Sequence, residues 1–477
     1  MTSVSESAEI RGRLDHPVVD GDGHLVEYLP LVREYLREEG GERLGTFFDK
    51  PSRWYDLGDQ ERLDRRYTRP PWWGIPTKLT IDNATSMLPR LLRLRMEEMG
   101  LDFAVLYSSY GLAVNTLPEE EVRRGSCRAF NRYLWDVFGP HADVMTPAAI
   151  IPMHTPQEAI EELEFVTSLG FKAVMMAGHV RRPIPAAAGD NAKLDRYAFY
   201  IDNLAIDSKY DYDPVWRKCM ELKISPTFHS GGMGWGSRTS PSNYMYNHIG
   251  HFASASEALC KALFMGGVTR RFPDLRFGFL EAGVGWATNL FADLVGHWEK
   301  RNGAKMSNYD PRNLDRELFE QLFREYADEK QMGKVDEIDD AYDRLGPDLQ
   351  DRSRLDDFAA LGIERAEQIK DLFVPNFYFG CEADDPVNAW AFNEKANPFG
   401  ARLNAVFSSD IGHWDVPDMR EVLEEAFELV EHDLITQDDF RDFVFTNPVK
   451  LFTGMNKDFF KGTSVETEAA KEIATND

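Results

Sequence analysis

The chain has 477 residues, with 80 Asp and Glu against 54 Lys and Arg, and its formal net charge at pH 7 is -26. A chain this acidic repels phosphate backbones and anionic membrane surfaces, so we expect neither nucleic acid nor a membrane as a partner. A hydrophobic content of 43% is typical of a folded globular protein, and the length allows one elaborated domain or two to three average ones.

The sequence carries no signal for secretion or membrane insertion. The four cysteines are widely spaced and form no C-x-x-C pair, which disfavours a disulfide framework or a zinc ribbon. Residues 1–13 are polar and charged, so no signal peptide is expected. No segment approaches the roughly 20 apolar residues that span a bilayer. The sequence therefore predicts a cytoplasmic protein.

Short apolar runs alternate with helical patterns along most of the chain. This alternation predicts an α/β fold in which crossover helices join parallel strands. The predicted strands are residues 18–20, 103–107, 144–152, 172–176, 225–229, 275–281, 376–380 and 404–409. Eight strands with intervening helices indicate a (β/α)₈ TIM barrel.

Three long stretches interrupt this alternation. They lie at about residues 33–100, 178–213 and 300–372, and we interpret them as insertions, mostly helical, in a single barrel domain that spans residues 14–460. The highly charged third stretch fits either a solvated helical excursion or an oligomer contact. Residues 461–477 are predicted to be a polar tail.

Potential metal ligands stand at the predicted strand ends. In such a barrel the chemistry sits at the carboxyl ends of the strands. Alternate residues of a strand share a face, so the first strand would project two side chains together. The candidates are Asp22 and His24 from the first strand, His229 from the fifth, Glu281 from the sixth and Asp410 from the eighth. Each has an ordinary structural explanation alone, but together they predict a metal centre.

Three motifs carry a resemblance to a known family. D-x-H at the first strand, F-H-S-G at the fifth and F-S-S-D-I-G-H-W-D at the eighth resemble the amidohydrolase superfamily. The similarity is to the amidohydrolase-related branch that holds aminocarboxymuconate-semialdehyde decarboxylase and aromatic-acid decarboxylases. It runs from about residue 17 to 455 and includes R-F-P-D-L before the sixth strand. The resemblance implies that a metal is held by Asp22, His24, His229 and Asp410.

The residue at the end of the sixth strand differs from the one typical of that branch. The decarboxylases have a proton-handling His at this strand end, whereas this chain has Glu281, and a carboxylate can bridge two metal ions. His413 and His251 are further candidate ligands, although both could simply form hydrogen bonds within their loops. His248 precedes His251 by three residues, so on a helix the two would share a face.

This donor set is rich for one catalytic zinc, which usually takes three protein ligands and water. It suits Fe and Mn together, or two Fe. The pattern resembles a small group of dinuclear oxygenases in this branch, which implies O₂ as a co-substrate. The implied reaction hydroxylates an aliphatic carbon of a small carboxylated substrate, for example 2-aminoisobutyrate. The alternative is a non-oxidative decarboxylase or a hydrolase with a single Zn or Mn.

The predicted catalytic residues are Glu281, His251 and Asp410. In the decarboxylase alternative, Glu281 or His251 would replace the missing histidine as the proton-handling group. A basic residue is needed for the substrate carboxylate, and Arg66 or Arg238 is the candidate.

Two further possibilities concern metal bridging and assembly. Lys172 would allow a carboxylated lysine that bridges two metals, but Glu281 suits that role better. The resemblance also implies a homo-oligomer or a hetero-oligomer with a homologous subunit. A structural subunit without metals is disfavoured by the nearly complete ligand set.

Overall fold

Eight parallel strands form the centre of the computed structural model, which describes residues 4–47, 57–71, 76–187, 198–344 and 355–476. The strands of the described chain are β1 (Val19–Leu25), β2 (Phe103–Ser108), β3 (Met145–Ile151), β4 (Ala173–Met176), β5 (Val180–Pro183), β6 (Phe199–Asp202), β7 (Thr227–Phe228), β8 (Phe277–Phe279), β9 (Phe377–Glu382) and β10 (Asn404–Ser408). Strands β5 and β6 pair antiparallel outside the barrel, and the others follow the order β1-β2-β3-β4-β7-β8-β9-β10.

The barrel closes between β10 and β1. The amide of His24 donates to the carbonyl of Ile411 at 3.0 Å, and the amide of Asp410 donates to the carbonyl of Asp22 at 3.3 Å. These bonds lie at the carboxyl end of the barrel, so the last strand end is fixed against the first. The predicted (β/α)₈ barrel is therefore confirmed.

Helices follow the strands and surround the barrel. The described α-helices are α1 (Glu6–Arg13), α2 (Leu29–Gly45), α3 (Asp59–Arg65), α4 (Thr80–Met87), α5 (Pro89–Met99), α6 (Gly111–Val114), α7 (Glu120–Phe138), α8 (Pro156–Leu169), α9 (Asp213–Leu222), α10 (Tyr244–His248), α11 (His251–Met265), α12 (Val268–Arg271), α13 (Gly285–Arg301), α14 (Arg316–Tyr326), α15 (Glu329–Met332), α16 (Ile338–Asp343), α17 (Glu367–Phe373), α18 (Val422–Glu431), α19 (Gln437–Arg441), α20 (Asn447–Thr453) and α21 (Glu466–Asn476). None of the described helices is both long enough and apolar enough to cross a bilayer.

Local sequence explains the ends of the crossover helix α8. The Thr155 side chain accepts a hydrogen bond from the amide of Glu158, and Pro156 occupies the first helical position, where no amide is needed. The helix ends at Gly170, whose φ of 115° is accessible to glycine without steric cost.

The predicted insertions hold different kinds of structure. The stretch at 178–213 contains the β5–β6 pair, and the stretch at 300–372 contains short helices of which α14 has no buried residue. At the carboxyl terminus, where a polar tail is predicted, residues 466–476 form α21, and Arg441 donates to Glu472 at 2.7 Å.

Aromatic packing joins helix α9 to the barrel. Trp216 is fully buried, and its ring lies edge-on to Phe277 at 5.6 Å and to Phe228 at 6.4 Å. The indole thus fills the space between this helix and strands β7 and β8, one of which leads directly to His229.

We predict that Trp216→Ala lowers the free energy of unfolding by about 3–5 kcal/mol, because it leaves a large cavity in a packed interface. The midpoint and slope of urea-induced unfolding measure this loss. The neighbouring exposed residue provides a control, since Arg217→Ala should change stability by less than about 0.5 kcal/mol. Equal stability of the two variants would contradict the packing role of the indole.

Candidate metal centre

Strand β1 places two candidate ligands, Asp22 and His24, at the mouth of the barrel. Asp22 and His24 are fully buried, and the strand pairing shifts register between Asp20 and Gly23. The shift is held by the Asp20 carboxylate, which accepts hydrogen bonds at 3.1 Å from the amides of Asp22 and Ser409. Burial raises the pKa of Asp20 to about 7. This carboxylate ties β1 to β10 directly beneath the site.

The nitrogen-rich group consists of Asp22, His24 and His229. The Nε2 atoms of the two histidines are 3.0 Å apart, and Asp22 Oδ1 lies 3.7 Å from His24 Nε2 and 3.6 Å from His229 Nε2. Three lone-pair donors therefore converge on one small volume from two strand ends. Such a set suits one Zn²⁺, Mn²⁺ or Fe²⁺ ion.

The connecting group consists of His24, Glu281, Asp410 and His413, of which Asp410 and His413 come from the loop after the last strand. Asp410 Oδ1 lies 2.7 Å from His413 Nδ1 and 3.3 Å from His24 Nε2. The two imidazole rings stack with centroids 3.8 Å apart. On its far side, His413 Nε2 lies 3.2 Å from the hydroxyl of Ser109, which fixes the ring orientation.

The carboxylate group completes the site with Glu281, Glu382, Asp410 and Asp415. Sequence reasoning missed Glu382 because it ended the seventh barrel strand at residue 380, whereas β9 continues to Glu382 itself. Asp415 lies in the quoted F-S-S-D-I-G-H-W-D motif but received no role. The signal that could have identified Glu382 is the acidic sequence C-E-A-D-D, in which the strand ends.

Two of the shared ligands sit on strained backbone. Glu281 has a φ of 50° and Asp410 a φ of 48°, in the left-handed region that side chains other than glycine rarely adopt. Such positions cost on the order of 1–3 kcal/mol and cluster at functional sites. They turn both carboxylates inward at the ends of β8 and β10.

The two carboxylate oxygens of Asp22 have different surroundings: one accepts hydrogen bonds and the other faces the imidazoles. Asp22 Oδ2 accepts from the amide of Glu281 at 2.9 Å and from the hydroxyl of Ser408 at 3.1 Å. This arrangement holds the carboxylate in place across three strands. Oδ1 is left facing the imidazoles.

The electrostatics of the site favour a bound cation. Burial raises the pKa of Glu281, Glu382 and Asp410 well above the ordinary range, and the neighbouring carboxylates raise it further. Burial, with the neighbouring imidazoles, lowers the pKa of His24 far below its usual value and that of His413 to about 4. These two histidines are therefore neutral, which is the form that binds metal.

The buried oxygens fit a metal ion. Within the described chain, the buried oxygens Asp22 Oδ1 and Glu281 Oε2 have no hydrogen-bond partner, although imidazole nitrogens lie close by. Buried carboxylate oxygens without donors are costly. Ligation of a cation would satisfy both of them.

Other candidate residues lie outside these three groups. His251 begins α11 and is 5% exposed, with its ring 5.0 Å from that of His248. Arg238 donates to Ser254 Oγ at 2.9 Å and to a loop carbonyl, so it shapes the loop before α11. Arg66 is an exposed residue that follows α3. Lys172 donates to the carbonyl of Phe459 at 2.7 Å, which commits its ammonium group to the carboxyl-terminal segment.

A cavity of about 650 Å³ adjoins the nitrogen-rich group. His229 forms part of its wall, and Asn115, His154, His179 and Arg181 line other parts. Because the candidate ligand His229 borders the cavity, a small molecule in it would lie beside the candidate metal centre.

The model of the Amidohydrolase family matches residues 91–332. This range includes His229 and Glu281 but not the strand ends that carry Asp22 and Asp410. A comparison with curated proteins finds no match.

Three solved structures are similar over most of the chain. An amidohydrolase from Mycobacterium avium subsp. paratuberculosis K-10 is 16% identical, with a TM-score of 0.48, over 92% of this chain and 100% of its own. A dihydroxybenzoic acid decarboxylase from Polaromonas sp. JS666, with bound manganese and 2-nitroresorcinol, is 16% identical with a TM-score of 0.48 over 92% and 97%. A 5-carboxyvanillate decarboxylase from Novosphingobium aromaticivorans DSM 12444, complexed with manganese, is 14% identical with a TM-score of 0.48 over 93% and 97%.

We predict that Gly380→Ala weakens metal retention by about tenfold to a hundredfold, as is typical when a group that orients a ligand is disturbed. An added Cβ would lie 3.1 Å from Asp22 Oδ2 and 3.2 Å from the amide of Glu281, which are hydrogen-bonded to each other. Metal content is measured by elemental mass spectrometry after dialysis. Gly296→Ala is the matched control, because its Cβ would meet nothing within 4 Å. Full metal retention in both variants would contradict the proposed orienting role.

A second prediction concerns pH. Because the pKa values of Glu281, Glu382 and Asp410 are raised, the metal-free protein keeps protons on this group that metal binding must release. Metal affinity should therefore fall as pH falls. Titration calorimetry in buffers of different ionisation enthalpy counts the protons released when metal binds. The Glu382→Gln variant should release fewer protons than the wild type, because it lacks one of the carboxyl groups. Binding without proton release at neutral pH would contradict the raised pKa values.

Proposed function

The chain belongs to the amidohydrolase family, and from that premise we propose that it is a metal-dependent enzyme whose barrel mouth binds two first-row metal ions. We further propose that it uses them, as Fe and Mn or as two Fe, to hydroxylate an aliphatic carbon of a small carboxylated substrate with O₂. A substrate such as 2-aminoisobutyrate fits this class.

One observation carries the proposal: the donor set exceeds what a single ion can use. Three imidazoles and five carboxylates fall into three overlapping groups that share His24, Glu281 and Asp410. A catalytic zinc takes three protein ligands, and an octahedral ion takes at most six. Two adjacent ions sharing carboxylates would use this set and relieve its repulsion.

The two ends of the donor set differ in chemistry. The nitrogen-rich group offers two imidazoles and one carboxylate, a mixture that suits iron. The carboxylate group offers only oxygen ligands, which suit manganese. An iron-containing pair supplies redox chemistry toward O₂ when bound. The reaction consumes the substrate C–H bond, one O₂ and two electrons with two protons from an external reductant, and yields the alcohol and water.

The residues of the chain hold the centre and control its protons. Glu281 and Asp410 stand where the groups overlap, so they are the candidates to share two ions and to take up charge changes. Ser408 and Ser109 orient Asp22 and His413.

A second candidate is a non-oxidative decarboxylase or a hydrolase with one Zn or Mn. The observation that favours it is the nitrogen-rich group itself, which offers three ligands and borders the cavity at His229. Glu281 has a raised pKa and could supply the proton that replaces CO₂ on the substrate carbon.

Metal content and oxygen uptake, measured together, test the proposal. Protein purified without added metal should contain about two equivalents of Fe, or of Fe plus Mn, and should consume O₂ when supplied with 2-aminoisobutyrate and a reductant. Glu382→Gln should retain about one equivalent and lose O₂ uptake, whereas the exposed Glu97→Gln should behave as the wild type. One equivalent of Mn or Zn, with CO₂ released from an aromatic acid in the absence of O₂, would favour the second candidate and contradict the first.

A further inference from the structure

The cavity beside His229 contains two consecutive arginines on strand β5. Side chains of consecutive strand residues point to opposite faces, so Arg181 and Arg182 have different surroundings. Their contacts differ accordingly: Arg182 is held by contacts within the fold, whereas Arg181 is not paired with a carboxylate among the described residues.

Arg182 is a structural residue. It is 7% exposed, and its guanidinium donates to Asp202 Oδ2 at 2.8 Å, to the hydroxyl of Tyr212 at 3.0 Å and to the carbonyl of His154 at 2.8 Å. The Asp202 carboxylate neutralises its charge. These bonds tie the β5–β6 pair to the loop after β3.

Arg181 has no such partner. Its guanidinium lies over the Phe199 ring, 4.9 Å from the centroid, and its Nη2 is 3.5 Å from the carbonyl of Met233. Among the described residues, no carboxylate lies within ion-pair distance of it. The aromatic ring holds the planar group in place without cancelling its charge.

His154, His179 and Asn115 are neutral groups of the cavity wall. Burial lowers the pKa of His154 to about 3 and that of His179 to about 4, so both imidazoles are uncharged. Asn115 is 2% exposed, and its Oδ1 has no hydrogen-bond partner within the described chain. Of the two arginines that line this cavity, the exposed Arg181 is the one without a carboxylate partner among the described residues.

We propose that Arg181 anchors the substrate by binding its carboxylate in this cavity, with Asn115 and the neutral imidazoles contacting the remaining polar atoms. The guanidinium fork can bind a carboxylate through two parallel hydrogen bonds. A molecule held there lies in the same cavity whose wall includes His229, so anchoring presents its other end to the metal centre. This assignment rests on the proposed function, because it takes a small carboxylated substrate as given.

Titration calorimetry on the metal-containing protein tests the assignment. The probes are 2-aminoisobutyrate as an aliphatic carboxylate, 2,6-dihydroxybenzoate as an aromatic one, and 2-aminoisobutyramide as a neutral analogue. Arg181→Gln should weaken binding of the bound carboxylate at least about tenfold, and Arg181→Lys should weaken it less. The exposed Arg217→Gln is the charge-matched control and should bind as the wild type does. Amide binding should not change in any variant.

The outcomes separate this inference from the proposed function. If the aromatic acid binds, the aliphatic acid does not, and Arg181→Gln abolishes that binding, then Arg181 is the anchor and the aliphatic oxygenase is wrong. If the carboxylate probes bind Arg181→Gln as tightly as they bind the wild type, or if neither binds the wild type, the anchoring role is overturned. Metal content is measured on the same samples, so a variant that lost its metal is recognised by its elemental composition rather than by weak binding alone.

Discussion

Crowding of like charges at the mouth of the barrel is the constraint on which the rest of this structure depends. Five carboxylates, from Asp22, Glu281, Glu382, Asp410 and Asp415, meet three imidazoles where strands β1, β7, β8, β9 and β10 end. In a buried place such a cluster is unfavourable without protons or cations, and the raised pKa values of three of its members express that cost. Cations that bind there would convert the repulsion into stability of the folded state.

The surrounding fold is arranged to maintain this crowding. The backbone at Glu281 and Asp410 adopts the left-handed conformation, and the amide of Glu281 fixes Asp22 across the barrel. Beneath them Asp20 joins β1 to β10 through Ser409. The strained backbone and the buried carboxyl groups therefore occur at the same residues. This is expected of a functional site, where a fixed arrangement of side chains is kept at some cost in folding stability.

Sequence patterns were sufficient for the barrel because parallel strands and crossover helices each leave a local signature. The candidate ligands at strand ends were predicted by the same reasoning, and the structure brings Asp22, His24, His229, Glu281, Asp410 and His413 together. Glu382 was missed because its strand continues two residues past the predicted end. Strand boundaries depend on pairing with neighbours, which local sequence does not specify.

The arginines show a different limit of sequence reasoning. The charge of Arg238 makes it a candidate for the substrate carboxylate, and its guanidinium donates to Ser254 Oγ and to a loop carbonyl. Arg181 and Arg182 are adjacent and chemically identical in the sequence, and only tertiary contacts show that Asp202 neutralises one of them. Whether a charge serves the fold or a ligand depends on partners distant in the chain, so composition and spacing could not decide it.

We propose that the donor groups at the barrel mouth bind two ions rather than one. Crystals of the protein as purified would test it most directly, with anomalous diffraction data collected on either side of the iron and manganese absorption edges. We expect two peaks, one within ligand distance of Asp22, His24 and His229, and the other among Glu281, Glu382, Asp410 and Asp415. A single peak at the nitrogen-rich group, with Glu382 and Asp415 unligated in fully metallated protein, would contradict it.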